Sequence, residues 1–438
     1  MKFIFVLIYM KFRRPKGTKD LLPADIYKWH FMENTIREIM QIYDYSEIRT
    51  PTFEFTELFI RGVGKETDIV GKEMYTFTDK SGESVTLRPE GTAPVMRAYL
   101  ENSLYNEKSL HRLYYIANMF RYEKPQSGRY REHTQFGAEI IGSESIYTDV
   151  ELILLARDIY QRCGIDNFKL KINSIGKAED RKRYCAALKE YLGKYVNDLS
   201  EDSKRRIEKN PMRVLDSKDP GDIKITQECP KILDYISDES RNRFESLCAM
   251  LRENNIDHDI DFRLVRGLDY YTDTTFEFVS DLLGAQNAIG GGGRYDLLAE
   301  QLGGKTTPSV GFASGLERLI SVAEKNGFKF SANKPPFIYL VALGDEAVNK
   351  AFLLMQDLRN SQISSTMDFN GKSMKSQLRH ANKLNVNYVF IIGDEELSKE
   401  RGILKNMNDS TQCEIEFAKL KDHLLSENKK SKSSSQGI

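Results

Sequence analysis

Two segments rich in glycine, arginine and tyrosine place the strongest constraint on how this chain can fold. The first, LVRGLDYYTDTTFEF, spans residues 264–278, and the second, AIGGGGRYDL, spans 288–297. The first predicts a strand entered through a tight corner, because β-branched and aromatic residues fit a pleated surface. The glycines at 290–293 let a backbone or a ligand approach more closely than any Cβ would permit. Together the segments predict two walls of one polar pocket, although each alone is also compatible with an ordinary hairpin of core aromatics.

A long antiparallel hairpin is predicted earlier in the chain. Strand-like runs at 113–121 and 134–141 flank a polar loop whose tip has the sequence PQSGRYREH. The segment PSVGFASGLERLI at 308–320 is typical of a strand that feeds a helix across small residues. The run at 48–55 is strand-like, but Pro51 cannot donate to a sheet ladder and therefore indicates an edge or a bulge.

The pattern of the chain changes three times. Between 173 and 257, charged amphipathic patterns interrupt the sheet-forming sequence and predict a helical insertion. Lys334, Pro335 and Pro336 then mark a linker. Beyond it, strand and helix patterns alternate as in βαβ units, which predicts a separate α/β domain. The closing KKSKSSSQGI is polar and of low complexity and predicts disorder.

Composition narrows the class of protein only in part. The 438 residues suffice for two or three domains. The 64 basic residues equal the 64 acidic ones, so nucleic-acid binding would depend on local basic patches. The five cysteines form no CxxC pair, which indicates neither a disulfide framework nor a zinc site and favours a reducing, cytoplasmic setting. The apolar run at 3–10 is far shorter than the roughly 20 residues of a membrane helix and predicts a short extension or edge strand, with a signal peptide as the alternative.

Five motifs carry a resemblance to a known family. They are LRPEGT at 87–92, FRYEKPQSGRYREHTQFGAEIIG at 120–142, RGLDYYTDTTFEF at 266–278, GGGGRYD at 290–296 and VGFASGLERL at 310–319. In this order they resemble the motifs of the histidyl-tRNA synthetases, which are class II aminoacyl-tRNA synthetases. The resemblance extends from Lys16 to about His423.

The resemblance implies an α+β catalytic domain with an antiparallel sheet, a helical insertion and a C-terminal α/β anticodon-binding domain. It divides the chain into a first catalytic part at 1–172, the insertion at 173–257, a second catalytic part at 258–330, the anticodon-binding domain at 331–425 and a disordered tail at 426–438. The implied activity joins L-histidine to ATP as histidyl-adenylate, releases pyrophosphate, and transfers histidine to the 3′ end of histidine tRNA. The implied partners are this tRNA, bound at its acceptor stem and anticodon, and a second copy of the chain bound through the region of Pro51.

Four arginines match the chemistry that this activity requires. Activating a carboxylate with ATP brings two anions together and spreads charge over the α-phosphate. Guanidinium groups suit this task, because they bind phosphate in two places and stay charged. By resemblance, Arg121 and Arg266 are catalytic and approach the α-phosphate, and Arg318 binds the γ-phosphate. Arg266 also approaches the histidine carboxylate. Arg129 joins the ATP site, with a solvated surface position as the open alternative.

Selecting histidine requires partners for a neutral imidazole, which presents one N–H donor and one acceptor. The resemblance assigns Glu139 and Tyr271 to the imidazole, and Tyr295 to closing the pocket. A wrong amino acid would leave such partners unpaired, which gives strong discrimination. For Tyr270, a core position is as compatible with the sequence as a functional one.

The α-ammonium group of histidine needs acceptors, and the resemblance assigns Glu90, Thr92 and Gln135 to it. For Glu90 the open alternative is an acid that stabilises a helix N-terminus. The acidic Asp273 departs from the basic or small residue that many relatives carry after the tyrosine pair.

No side chain is expected to act as a covalent nucleophile, because positioning and electrostatics suffice for both steps. Mg²⁺ is expected to arrive with ATP and to be held largely by its phosphates, without a metal site of the protein's own. The hairpin tip, with Lys124, Gln126, Arg129 and Arg131, is expected to meet the acceptor stem. His133 is expected to be structural or to contact RNA, not to act as a general base.

Three other classes of protein share some of these features. A catalytically silent relative, such as the regulatory subunit of a histidine-biosynthesis enzyme, would need neither the arginine set nor a terminal tRNA-binding domain. Another class II synthetase would lack RGLDYY paired with GGGGRYD. A purely structural RNA-binding module would leave the arginines unexplained.

Overall fold

The computed structural model describes residues 12–65, 67–123, 129–284, 287–331 and 334–435, with side chains described as far as Lys429. The chain divides into two compact units, Met1–Ser331 and Ala332–Ile438. The short extension or edge strand predicted at 3–10 lies outside the described residues. Within them, the structure contains no helix that is long and apolar enough to cross a membrane.

The first unit contains eleven strands and ten α-helices within its described residues. The strands are β1 Ser46–Glu47, β2 Phe53–Phe55, β3 Tyr75–Thr78, β4 Ser84–Leu87, β5 His111–Phe120, β6 Glu132–Ile141, β7 Lys169–Ser174, β8 His258–Ile260, β9 Thr272–Val279, β10 Ala288–Arg294 and β11 Ser309–Gly315. The helices are α1 Ile26–Ile42, α2 Thr56–Val63, α3 Thr92–Glu101, α4 Ile146–Arg162, α5 Ala178–Gly193, α6 Glu201–Lys209, α7 Pro220–Gln227, α8 Asp238–Glu253, α9 Leu298–Gln301 and α10 Leu316–Lys325. A 3-10 turn, Pro211–Val214, lies between α6 and α7.

An eight-stranded sheet in the order β1-β5-β6-β11-β10-β9-β7-β8 is the centre of this unit. Its inner strands are antiparallel, and parallel pairs occur only at the two edges, β1 with β5 and β7 with β8. The predicted antiparallel sheet is therefore confirmed. The predicted hairpin is also present, because β5 pairs with β6 from His111 opposite Ile141 to Phe120 opposite Glu132. The predicted strand and helix at 308–320 are β11 and α10.

Helices α1, α4, α8 and α10 cover one face of the large sheet. Helix α1 shows why: Trp29, Met32, Ile36 and Ile39 recur at helical spacing and are all buried. They join one apolar core with residues of the other three helices and of the sheet. Burying this continuous apolar surface is the main favourable term that holds the face together.

The helices α5–α8 lie between β7 and β8, where the sequence predicts an insertion. Serine side chains cap two of these helices, because Ser200 accepts from the amide of Ser203 and Ser237 accepts from that of Ser240. Asp219 does the same for α7, which begins at Pro220. Insertion residues pack in one apolar cluster with residues of α3 and of the sheet.

A small sheet in the order β2-β4-β3 stands beside the large one. Strand β2, which follows Pro51, is at its edge, as the proline indicates. Three aromatic side chains of this sheet are exposed, namely Phe53, Phe55 and Phe77.

The second unit is an α/β domain. Its elements are β12 Ile338–Ala342, α11 Asp345–Asn360, β13 Ser365–Met367, α12 Met374–Lys383, β14 Tyr388–Ile392, α13 Asp394–Ser398, β15 Arg401–Asn406, β16 Gln412–Glu416 and α14 Phe417–Ser435. The sheet order is β13-β12-β14-β15-β16, with the first three strands parallel, as predicted, and the last two antiparallel.

The disordered tail predicted at 426–438 is wrong for residues 426–435, which continue α14. Buried Phe417, Leu420 and Leu424 anchor the start of this helix. Its later residues include no glycine or proline, so nothing in the sequence ends the helix there. Residues 436–438 lie outside the described part of the chain.

Candidate active site

A cavity of about 910 Å³ opens beside β6, β9, β10 and β11. Eight of the residues assigned by resemblance line it: Glu90, Thr92, Arg121, Arg129, Gln135, Arg266, Tyr271 and Arg318. These residues come from loops, from β6 and from the first turns of α3 and α10, which are far apart in the sequence. The antiparallel sheet brings them together, so the polar pocket predicted from the two opening segments exists.

Two of the arginines that line the cavity are held by backbone carbonyls. Arg121, which follows β5, donates from Nε to the carbonyl of Pro89 at 2.7 Å. Arg318, in the first turn of α10, donates from Nη1 to the carbonyl of Ala288 at 2.6 Å. Burial, and then the charge of Arg129, lowers the pKa of Arg318. Several guanidinium groups that repel one another inside a partly desolvated cavity make a strong site for a polyanion.

The other two arginines are held by carboxylates. Arg266 donates from Nη1 to Glu277 Oε2 at 3.0 Å, and its guanidinium lies 5.6 Å from the ring centre of Tyr271. Arg129 pairs with Glu123 at 3.0 Å. The arginine of the first opening segment therefore faces the cavity next to the tyrosine of the same segment.

Glu90 caps a helix as well as lining the cavity. Its two carboxylate oxygens accept from the amides of Thr92 at 2.7 Å and Ala93 at 2.8 Å, at the start of α3. The helix N-terminal position that the sequence left open for this residue is therefore present. Burial raises the pKa of Glu90.

Gln135 is held close to the cavity wall by Tyr115. Its amide donates to the Tyr115 hydroxyl at 3.0 Å. The tyrosine ring fits only because Gly91 and Gly137 face it, since a Cβ at either glycine would collide with the ring. The glycine in LRPEGT and the one in FGAE thus make room for one side chain that orients Gln135.

Glu139 lies behind the cavity wall. Its Oε1 accepts from the Thr92 hydroxyl at 2.8 Å and its Oε2 accepts from the Tyr295 hydroxyl at 2.5 Å. Burial raises the pKa of Glu139 to about 8, although both hydrogen bonds oppose the shift. Among the described residues that line the cavity, neither Glu139 nor Tyr295 is present. Tyr295 therefore stands behind the wall and does not lie at its mouth.

The missing side chain of Gly311 leaves room for the carboxyl group of Glu139. Strand β11 places Gly311 directly opposite Glu139 of β6. A Cβ at this glycine would collide with Glu139 Oε2. In the same way, a Cβ at Gly291 would collide with the guanidinium of Arg266. The predicted role of the glycines, close approach where a Cβ would not fit, is therefore seen in the strand that carries GGGG and in its neighbour.

The second opening segment does not deliver its arginine to the cavity. Arg294 is 1% exposed and donates from Nη1 to Asp149 Oδ2 at 2.6 Å. Arg243 of the insertion donates to the same oxygen at 2.9 Å. These contacts join β10, α4 and α8 in a buried ionic cluster.

His133 lines the cavity near Arg121 and Arg318. Burial, and then Arg121 and Arg318, lowers its pKa to about 3. It is therefore a neutral imidazole at any working pH and a poor general base. Arg131, two residues earlier, stacks on Tyr122 with its guanidinium 3.7 Å from the ring centre. Lys124 and Gln126, expected at the hairpin tip, lie outside the described residues.

Sequence reasoning missed part of the cavity wall. Side chains of the insertion line it, including Ser200, Arg206 and Lys218. Glu277, the partner of Arg266, was also missed, although it stands in the first opening segment. For the insertion residues no local signal exists, because charged residues on amphipathic helices are ordinarily solvated.

No cluster of three metal-ligating side chains occurs within the described ranges. Carboxylates at the cavity, such as Glu123 and Glu277, are paired with arginines. This donor set fits Mg²⁺ bound mainly through nucleotide phosphates, since Mg²⁺ keeps waters and needs only one or two carboxylates.

An antiparallel sheet with an arginine after the first hairpin strand, a second arginine on the strand–helix unit and a C-terminal α/β domain defines a class II aminoacyl-tRNA synthetase fold. Comparisons with known proteins agree. The family model for histidyl-tRNA synthetase matches residues 17–319, and the model for an anticodon binding domain matches 338–427. The chain belongs to the histidyl-tRNA synthetase family.

Individual relatives cover nearly the whole chain. A histidine–tRNA ligase of Caldanaerobacter subterraneus subsp. tengcongensis is 47% identical over 403 residues, which are 92% of this chain and 97% of that protein. The solved structure of apo S. aureus histidyl-tRNA synthetase has a TM-score of 0.79 and 36% identity, covering 94% of this chain and 99% of the other. A Bacillus halodurans structure, described as an ATP phosphoribosyltransferase regulatory subunit/histidyl-tRNA synthetase, has a TM-score of 0.63 over 88% of this chain and 99% of that chain; at 23% identity it shows the fold alone.

Proposed function

We propose that the cavity binds ATP and L-histidine side by side, forms histidyl-adenylate and pyrophosphate, and then esterifies the 3′-terminal ribose of histidine tRNA. The observation that carries this proposal is the meeting of Arg121, Arg266 and Arg318 in one cavity with the polar groups assigned to an amino acid. Family membership supports the same chemistry.

The two steps need no covalent enzyme intermediate. In the first, a carboxylate oxygen of histidine attacks the α-phosphorus, and the bond to the bridging oxygen breaks as pyrophosphate leaves. In the second, a ribose hydroxyl of the tRNA attacks the acyl carbon and gives up its proton, and AMP leaves as its bond to the acyl carbon breaks. We assign Arg121 and Arg266 to the charge that develops on the α-phosphate, and Arg318 to the γ-phosphate, with Arg129 assisting. Mg²⁺ bound to the phosphates would neutralise part of the remaining charge.

Histidine occupies the end of the cavity next to α3 in this proposal. Its α-ammonium group faces Glu90, Thr92 and Gln135. Its imidazole lies against Tyr271, and its N–H competes with the Thr92 hydroxyl for the carboxylate of Glu139. Tyr295 keeps the second oxygen of that carboxylate occupied, so that the remaining oxygen is directed toward the ligand.

Histidine tRNA would contact both units, with its acceptor stem at the hairpin tip and its anticodon at 338–427. We propose a cytoplasmic location for this activity, as expected for a step of translation. We also propose a homodimer formed through the small sheet, because Phe53, Phe55 and Phe77 expose aromatic surface there. Changing Phe53 and Phe55 to Asp should halve the mass measured by sedimentation, whereas Phe369→Asp, at an equally exposed site of the second unit, should not.

Pyrophosphate exchange into ATP, measured with each of the twenty amino acids, tests the proposed activity. Histidine alone should support exchange well above background. No exchange with any amino acid would instead support a catalytically silent relative. Exchange with threonine or proline would reassign the specificity pocket.

A further inference from the structure

Three side chains of the insertion bind one short stretch of the catalytic unit, residues 267–273. Arg213, in the 3-10 turn, donates from Nη2 to the carbonyl of Gly267 at 2.6 Å. Arg181, on α5, donates from Nη1 to the carbonyl of Tyr271. Ser240, on α8, donates to Asp273 Oδ1 at 2.5 Å. Each contact comes from a different element of the insertion, so the stretch is held at its start, middle and end.

The far end of this stretch has a backbone that needs such support. Asp273 has a φ of 46°, which a residue with a side chain adopts only at some cost. Its amide donates to the carbonyl of Gly176 at 3.0 Å, and its carbonyl accepts from the amide of Ile175 at 2.8 Å. Both partners lie between β7 and α5, where the insertion begins. Asp273 is therefore one of the three residues through which the insertion holds the segment.

Arg181 reaches the segment from the side opposite the active site. It lines a second cavity, of about 510 Å³, between α5, the 3-10 turn and residues 265–269. Arg266 and Leu268 line both this cavity and the active-site cavity. The segment thus separates two cavities, the active-site cavity on one side and the second cavity, lined by α5 and the 3-10 turn, on the other.

We propose that the insertion acts as a clamp on residues 267–273, and that Arg181 is the positioning residue that sets where the Tyr271 ring stands in the histidine site. The inference rests on the proposed assignment of Tyr271 to histidine. A hydrogen bond from a guanidinium to a neutral carbonyl only partly offsets the cost of desolvating the charge. Its main effect is to fix the backbone that carries the ring. Burial lowers the pKa of Arg181, and the nearby charges of Asp269 and Asp273 oppose this shift.

The test compares Arg181→Ala with Lys182→Ala, an exposed residue on the same helix that also lines the second cavity. In histidine-dependent pyrophosphate exchange, Arg181→Ala should raise KM for histidine by about tenfold and leave KM for ATP within about twofold. Arg181→Lys should recover part of the loss, because it keeps a charged donor. Lys182→Ala should match the parent.

Hydrogen exchange of the amides at 267–273 gives a readout that does not depend on activity. These amides should exchange hydrogen faster in Arg181→Ala than in Lys182→Ala. This result is expected even if the parent shows no histidine-dependent pyrophosphate exchange and the proposed function fails. Unchanged histidine KM and unchanged amide exchange would overturn the clamp. So would an equal rise of both KM values together with a lowered melting temperature, since that pattern means general loosening. If Arg181→Ala does not fold, Arg181→Lys provides the same comparison at smaller amplitude.

Discussion

Tyr295 donates its hydroxyl proton to Glu139 across 2.5 Å, and neither side chain is more than 1% exposed. The tyrosine comes from the segment after β10, and the glutamate from β6, with β11 between them in the sheet. A buried carboxyl group that is hydrogen-bonded on both oxygens has a fixed orientation, because rotation would break both hydrogen bonds. This pair therefore fixes the orientation of a buried carboxyl group behind the cavity wall, with Thr92 as the group between it and the cavity.

Replacing the carboxyl group of Glu139 should reduce the selection of histidine. In Glu139→Gln, one carboxylate oxygen becomes an amide donor that faces either Thr92 or Tyr295, so KM for histidine should rise by about tenfold or more. Pyrophosphate exchange measures the effect. Glu132→Gln, the same change on the same strand at a residue that contacts Asn118, should leave exchange unaltered. Equal histidine turnover by Glu139→Gln and the parent would remove Glu139 from recognition.

The same carboxyl should make stability depend on pH. Its pKa rises from an ordinary 4.5 to about 8 in the folded protein. The folded state therefore holds a proton that the unfolded state releases between these values, and its stabilising contribution is complete below the lower value and lost as pH rises through the upper one. Urea unfolding of the parent and of Glu139→Gln at about pH 5, 7 and 9 should show the parent losing more stability with pH. Parallel curves would mean that Glu139 is ionised throughout.

Gly311 should tolerate no side chain. In Gly311→Ala the new Cβ meets the Glu139 carboxylate, and overpacking at this point should cost about 2 kcal/mol or more of unfolding free energy, with loss of histidine-dependent exchange. Gly193→Ala is the control, because a Cβ at this last residue of α5 meets nothing within 4 Å. That variant should be neutral or more stable by up to about 1 kcal/mol. Comparable losses in both variants would show that the Gly311 site can relax.

Much of the fold and of the site is written in local sequence patterns. The hairpin of β5 and β6 follows from two strand-like runs around a polar loop, and the unit of β11 and α10 follows from a strand pattern that changes to a helical one. Arg121 and Arg318 stand at the ends of these elements, where a sheet places its functional side chains together. The motifs therefore contain most of the residues that line the cavity.

Other features depend on contacts that no local pattern encodes. Asp149 and Arg294 are 145 residues apart, and nothing near either residue indicates that they meet. The insertion reaches the cavity and residues 267–273 only through tertiary packing, so Arg181 reads as one more solvated charge in the sequence. The antiparallel strands β15 and β16 were missed because the preceding βαβ pattern gives no sign that the sheet will end differently.

Substitution of Arg266 should reduce the rate of pyrophosphate exchange more than it reduces the affinity for histidine. Arg266→Ala removes a guanidinium assigned to the α-phosphate, and pyrophosphate exchange should fall by about 100-fold or more while calorimetry shows histidine binding largely intact. Arg266→Lys should stay severely impaired, because a lysine cannot reproduce the two-pronged contact. Arg252→Ala, at an exposed position on α8, controls for loss of an arginine. Full exchange by Arg266→Ala would exclude this residue from the reaction.

Asp149 should be one of the most costly single positions outside the cavity. It is completely buried, and its Oδ2 accepts from both Arg294 and Arg243. In Asp149→Asn the buried Arg294 keeps only Asp296 as a carboxylate partner and the partly exposed Arg243 loses its pair, which should lower the unfolding free energy by about 3 kcal/mol in urea titrations with an unchanged slope. Glu57→Gln removes the acid of the exposed pair with Arg61 and should cost less than about 0.5 kcal/mol. If both variants lose the same small amount, water or a rearranged partner compensates the arginines, and the cluster does not hold β10 against α4 and α8.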